Sequence, residues 1–348
     1  MAGSAALPIT LDSAEDPTFE ELDGDSPTTL APVQWLTGGI VAHNEERRLA
    51  ASVRSLLSQQ LPIGFRWGTV WVVVSGSTDG TEQVARSLAL EDRRVRLVIE
   101  SRRRGKSAAL ALVLARATGH LLVLLNADAV AEPGSLLSLL DRARRLRAPF
   151  AVMGRPLPPA PDGGFSDAVT LLWDLHHRLH VAALQGGVGT HLSDELLLLS
   201  LTRAPPLAEG IVNDGAFVGA WLSSHAGTLD YSPAAGVGIA VPSRWHEHLR
   251  QRRRIHFGHR QVSRLVGVAP TTWLGFLRQR PRAAWALLRA AVRARPDGVR
   301  SFAYLATAEL AALCLAGFDQ LSSREQVLWT RVTEYREPTR TSTAAART

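Results

Sequence analysis

Three short polar clusters stand out early in this 348-residue chain: His43-Asn44-Glu45-Glu46, Ser75-Gly76-Ser77-Thr78-Asp79 and Asn126-Ala127-Asp128. A carboxylate two residues after another polar side chain can hold a hard divalent cation against a diphosphate. Mg2+ and Mn2+ favour oxygen ligands, and Mg2+ binds through one or two carboxylates plus substrate phosphates. Asp128 fits that chemistry. Lys106 follows Gly105 where a helix is predicted to begin, and the free N–H groups and macrodipole of a helix start favour anions. It is the only lysine among 39 basic residues, which singles out its ammonium. The competing reading is ordinary turn and cap chemistry for each loop and a solvated helix-start residue for Lys106. The three loops taken together favour a site.

The intervening pattern says how these clusters are positioned. Residues 38–42, 69–74, 95–100 and 120–125 read as buried strands. Residues 46–59, 80–88 and 107–118 read as helices, the first with Leu49, Val53, Leu56 and Leu57 at helical spacing. Strand–helix alternation with short loops predicts an α/β, doubly wound, mostly parallel sheet. The ligand site of such a sheet lies at the carboxyl ends of its strands, where all three clusters fall.

Composition sets the outer bounds. Hydrophobic residues make up 46% and charged residues 20%, an ordinary globular balance for one large domain or two modest ones. The single cysteine, Cys314, excludes a disulfide framework and any multi-cysteine metal site. Residues 1–30 carry seven acids and no Lys or Arg and read as a disordered acidic tail; 336–348 reads as a second tail. The start lacks a basic segment followed by an apolar one, so no secretory signal and a cytoplasmic location are expected. No window reaches the roughly 20 apolar residues of a membrane span; the nearest, 302–318, contains Glu309. The net charge is +7, yet residues 241–300 hold 14 Arg against Glu247 and Asp297. Such a block suits phosphates, a lipid surface or nucleic acid. No nucleic-acid module accompanies it, so nucleic acid is not an expected partner. The arginine bias points to a GC-rich, bacterial genome.

The segments VAHNEERRLAASVRSLLSQQ, VVVSGSTDGTEQVAR, RRGKSAALALVLARATGHLLVLLNADA, VNDGAF and LRQRRRIHFG together resemble the family 2 glycosyltransferases, inverting enzymes of the GT-A fold. The resemblance spans roughly residues 36–260. It implies a GT-A domain over 31–260, with a nucleotide-sugar-binding half (31–130) and an acceptor half (131–260), then a basic amphipathic helical region over 261–335. It implies that Asn44, Glu46, Ser75, Asp79, Lys106 and Asn126 contact the donor and that Asp128 binds Mg2+ or Mn2+. Asp214 would be the general base, and Gln251, Arg253 and Arg254 would close over the diphosphate. The partners implied are a nucleotide-sugar donor and a glycan, lipid-linked or small-molecule acceptor, with an anionic membrane surface as a further candidate. The chemistry needs these parts: a carboxylate to take the acceptor's proton, and a cation and arginines to meet the charge growing on the leaving diphosphate. Against this, Asn-Asp-Gly at 213–215 is also a common turn and Arg252–Arg254 could be a solvated helix face.

Some positions depart from the family pattern. Val74 and Ser75 stand where an acidic pair is common, Asn126 replaces the first acid of Asp-x-Asp, and Ile255 replaces a tryptophan. These losses leave a second reading open: a nucleotide-binding homologue without catalysis, acting as a scaffold. The segment LLWDLHHRLH puts Trp173, His176, His177 and His180 on one helical stretch. His176 and His180 have the i, i+4 spacing that can bind a metal; separately, His256 or His259, after the arginine run, could complete the shell of the nucleotide-bound metal. Acceptor contact or a half-buried face is the stronger reading, and by resemblance His177 and Glu195 would shape the acceptor cleft. Residues 262–294 mix Trp273, Phe276, Leu277, Trp285, Leu287 and Leu288 with six arginines, as in helices that lie on anionic bilayers or pack on a neighbouring domain.

Overall fold

The computed structural model describes residues 33–186, 191–322 and 335–337. The tail expected at 1–30 lies outside them, as does most of the tail expected at 336–348. The elements run in the order β1 (Gln34–Ala42), α1 (Leu49–Leu57), β2 (Phe65–Ser75), α2 (Thr81–Glu91), β3 (Val95–Glu100), α3 (Lys106–Leu114), β4 (Leu121–Leu125) and β5 (Ala129–Ala131). Then come α4 (Ser135–Ala143), β6 (Phe150–Leu157), α5 (Phe165–Gln185), β7 (Leu196–Ser200), α6 (Asp214–Ser224), β8 (Thr228–Ile239) and β9 (Val241–Pro242). Four helices follow, α7 (Trp245–Val266), α8 (Trp273–Gln279), α9 (Pro281–Arg293) and α10 (Gly298–Leu321), with a short β10 (Tyr335–Arg336).

Eight strands form one sheet in the order β3-β2-β1-β4-β7-β6-β8-β5. The β1–β2, β2–β3, β1–β4 and β6–β8 pairs are parallel, while β7 runs antiparallel to both β4 and β6, and β5 antiparallel to β8. The expected doubly wound sheet is therefore present as a mixed sheet. The chain order reverses between β1 and β4, which makes their carboxyl ends the switch point where ligands bind.

The strands are buried on both faces, and alternation sorts their side chains into two cores. Val72, Val74, Val123 and Leu125 pack with Leu49, Val53, Leu56 and Leu139 on one side. Val73, Leu122 and Leu124 pack with Ala109, Val113, Phe217 and Trp221 on the other. Each such side chain contributes about 1.5–3 kcal/mol when fully buried, enough in sum to hold polar loops rigid at the sheet edge. Two glycines set that edge. Gly76 has φ +55°, and a Cβ there would lie 2.3 Å from the Arg103 nitrogen. A Cβ on Gly258 would lie 2.6 Å from that of Asn213, so glycine lets α7 seat against the start of α6.

Two expectations about the C-terminal part need correction. The boundary at residue 260 falls inside α7, which runs unbroken from the acceptor half into the basic region. And α10 is long and apolar enough to cross a membrane by length and composition, with a mean hydropathy of 1.5 over its best window. The linear reading missed it because Glu309 and Asp319 interrupt the apolar run. Both acids are matched by α7: Arg252 Nε donates to Glu309 at 2.5 Å and Arg253 Nε to Asp319 at 2.5 Å.

Candidate active site

Lys106 occupies the first turn of α3, after Gly105 at φ +99°. Its Nζ donates to Asp194 and lies 3.1 Å from Asp214. Asp194 and Asp214 therefore face the same ammonium and act on each other as like charges. The cap of α6 is Asn213, whose Oδ1 accepts from the Ala216 N–H at 2.9 Å. Asp214 is thus not spent on capping. It sits in the first turn of the helix, only 5% exposed and against charged partners. Asp194 is the more open of the two carboxylates, with its side chain 27% exposed.

Burial alone would lower the Lys106 pKa, but Asp194 and Asp214 hold it above the ordinary lysine range. Burial pushes the Asp214 carboxyl up, with Lys106 only partly opposing it. Asp194 is held below the usual range because Lys106 outweighs its burial. Arg254 adds a fourth charge. Its Nη2 donates to the Val212 carbonyl at 2.7 Å, and burial draws its pKa to about 10 against the pull of Asp214 and Asp194.

The register of β4 and β7 explains why Asp194 is here. Leu125 pairs with Leu196 in antiparallel sense, and the Asn126 N–H donates to the Glu195 carbonyl at 3.1 Å. The residues after β4 therefore run beside those before β7, bringing Asn126 and Asp128 alongside Asp194 and Glu195. Asp128 is half-buried; burial raises its pKa, and the Arg48 guanidinium and the Lys106 ammonium only partly offset this. An oxygen ligand whose negative charge is incompletely compensated suits a divalent cation, so the donor set fits the expected Mg2+ or Mn2+.

The other expected donor contacts are engaged in holding loops. Asn44, at φ +57°, accepts from the Thr78 N–H at 2.7 Å, and Glu46 accepts from the Gly80 N–H at 2.9 Å. Asp79 accepts from the Thr81 N–H at 3.0 Å. These clasps zip the loop after β1 to the loop after β2. Ser75 is buried, and its hydroxyl has no partner among the described residues. Gln251 is half-buried on α7. Arg253 departs from expectation: its guanidinium is committed to Asp319 on α10. Successive helix residues project about 100° apart, so Arg254 faces the carboxylates while Arg253 faces away.

On the acceptor side, His177 Nδ1 lies 2.8 Å from the Tyr231 hydroxyl. Glu195 accepts from the Ser193 hydroxyl, and burial together with the Asp194 charge pushes its pKa up to about 7. A cavity of about 390 Å³ opens beside His177, lined by Arg155, Asp174, Arg178, Gln185 and Leu287. Lys106, Asp128 and Asp214 do not line it. The sequence does not single out Asp194, although it directly precedes Glu195. Its signal is the strand pairing, which the linear pattern does not show.

A curled α/β sheet with carboxylates gathered at its switch point is a protein of the GT-A fold class. Residues 39–179 match the profile of glycosyl transferase family 2. Among solved structures, the chain is similar to mannosyltransferase PcManGT from Pyrobaculum calidifontis in complex with GDP-Man and Mn2+. That match has 21% identity and a TM-score of 0.57, covering 86% of this chain and 92% of the other. S. aureus TarS 1-349 is also similar in fold, at 12% identity and TM-score 0.47 over 87% and 96% of the two chains. GalNAc-T7 with UDP, GalNAc and Mn2+ matches at 14% identity and TM-score 0.44, covering 60% of this chain and 43% of that one. No curated protein matches the sequence.

Proposed function

We propose that the chain transfers a sugar, with inversion, from a nucleotide-diphosphate donor to an acceptor hydroxyl. The observation that supports this most directly is the grouping of Asp194, Asp214 and Arg254 about Lys106, beside Asp128 at the switch point of the sheet. Asp128 would hold Mg2+ or Mn2+, which supplies positive charge to the leaving diphosphate when bound. Asn126, being neutral, leaves Asp128 as the charged ligand of that pair. Arg254 and Lys106 add fixed positive charge at the same edge.

Proton transfer falls to the Asp194 and Asp214 carboxylates, both held at Lys106. Asp194 is exposed to an incoming hydroxyl. Asp214, whose proton affinity is raised by burial, serves as the base on which the proton comes to rest. Lys106 limits the repulsion between the two acids before reaction. His177, bonded to Tyr231, and Glu195, bonded to Ser193 beside Asp194, would shape the acceptor side. The donor contacts expected of Asn44, Glu46 and Asp79 become indirect: these residues hold the loops against which the nucleotide would rest. The exposed face of α9, with Arg282, Trp285 and Arg289, is suited to an anionic bilayer. Co-sedimentation with anionic but not neutral vesicles would support that surface as the place of acceptor encounter.

A thermal-shift panel of nucleoside diphosphates and nucleotide-sugars, with and without Mn2+, tests the donor site. Binding to the folded state raises the melting temperature in proportion to the logarithm of ligand concentration over its dissociation constant. At least one nucleotide should stabilise the wild type in a Mn2+-dependent way, and Asp128→Asn should remove that dependence. Absence of a shift from every nucleotide at millimolar concentration would contradict the reading.

A further inference from the structure

A second group of chemistry-bearing side chains is shared by α5 and the segment entering β7. His176 and His180 of α5 and His191, which leads into β7, each offer one ligand atom, and these atoms lie within 4.8 Å of one another. His176 Nε2 and His180 Nε2 are 3.1 Å apart. Nitrogens bound at the 2.0–2.1 Å of a tetrahedral zinc site sit about 3.3 Å from each other, so the i, i+4 spacing already presents one edge of that tetrahedron. The ring of His191 closes the third corner, its centroid 5.1 Å from that of His176 and 4.9 Å from that of His180.

We propose that His176, His180 and His191 bind a borderline transition-metal ion, zinc foremost, separate from the ion at Asp128. His180 is fully buried and stacks on Tyr231 with ring centroids 4.9 Å apart, which fixes its ring. A metal takes the neutral imidazole through a ring-nitrogen lone pair. Arg252 acts electrostatically on both His176 and His191. Its charge is matched by Glu309, through bonds of 2.5 and 3.1 Å. The fourth position falls to water or to His259, whose Nδ1 is buried without a hydrogen-bond partner among the described residues and whose ring centroid is 6.2 Å from that of His191.

An all-imidazole set selects zinc, cobalt, nickel or copper over Mg2+ and Mn2+, which prefer oxygen. The ion would tie α5 to the segment entering β7, three residues before Asp194. It would thereby brace the strand end that carries Asp194 and Glu195 without touching substrate. The site stands whether or not the donor reading above holds.

The test uses the full chain without a histidine tag, stripped by a chelator and re-equilibrated with Zn2+, Mn2+ or Co2+. The expected result is one zinc per chain by mass spectrometry, not displaced by excess Mn2+, and visible absorption bands of four-coordinate cobalt. His191→Ala and His176→Gln should each bind zinc on the order of 100-fold more weakly and lose the cobalt bands. Circular dichroism of the metal-free variants shows that they are folded when these values are taken. Zinc retention by the wild type equal to that of His191→Ala and His176→Gln, or displacement by Mn2+, would overturn the proposal.

Discussion

Replacing Lys106 with methionine keeps most of its stem and removes only the ammonium. In the wild type that group contacts Asp194 and lies 3.1 Å from Asp214, which is 5% exposed. The substitution leaves the two carboxylates facing each other with Arg254 as a remaining buried countercharge. Removing one partner of a buried ion pair costs about 3–5 kcal/mol. Because the Lys106 and Asp194 side chains are 29% and 27% exposed, solvent screening reduces the expected loss to about 2–4 kcal/mol. The loss must also depend on pH. Without the ammonium, like-charge repulsion raises the pKa of one carboxyl above its unfolded value of about 3.9. A raised carboxyl destabilises the folded state above that pKa, and protonation relieves it below. The deficit should therefore be largest near pH 8 and shrink by pH 5. Urea unfolding followed by tryptophan fluorescence at the two pH values measures it. A Lys106→Met protein as stable as the wild type at pH 8, or equally weakened at both values, would refute the electrostatic coupling of these three side chains.

Other outcomes follow from the same geometry. Glu195 is raised to about 7 from 4.5, so the folded state binds more protons than the unfolded one in between, and stability falls as pH rises through that window. Glu195→Gln should remove up to about 3 kcal/mol of that pH dependence, visible as a flatter plot of unfolding free energy against pH. Arg253→Ala leaves Asp319, which is fully buried, without its guanidinium. It should cost about 3–5 kcal/mol in urea unfolding while leaving the apparent donor KM unchanged, whereas a diphosphate-binding role would raise KM. Gly258→Ala places a methyl 2.6 Å from the Asn213 Cβ and should cost about 1–3 kcal/mol, with a lower kcat because α6 carries Asp214.

The first half of the sheet was legible because its signals are local. Apolar runs alternate with helical periodicity between residues 38 and 125, and each strand ends in a polar loop, so the edge and its candidates follow from sequence order. Lys106 lies 3.1 Å from Asp214 and acts electrostatically on Asp128. What escaped the sequence depends on pairing between distant segments. Asp194 reaches Lys106 only because β7 turns back antiparallel beside β4, and an isolated apolar run carries no mark of its direction. Arg252, Arg253 and Arg254 look equivalent as a string of letters. Helix geometry gives the first two acids on α10 and only the third the carboxylates. The i, i+4 pair at His176 and His180 was readable as a metal motif, whereas His191 joins it through the tertiary fold. Asn44, Glu46 and Asp79 share the residue types of ligand contacts and of loop clasps. Only the hydrogen-bond partners show that they clasp loops.

The account rests on Asp128 and the Asp194–Asp214 pair forming one catalytic edge. The most direct test is nucleoside diphosphate release from the stabilising nucleotide-sugar, measured in wild type, Asp194→Asn and Asp214→Asn with Mn2+ present. Loss of the base should lower kcat by roughly 10²–10⁴-fold in Asp214→Asn, with donor-induced thermal stabilisation retained. Wild-type turnover in Asp214→Asn would contradict the assignment.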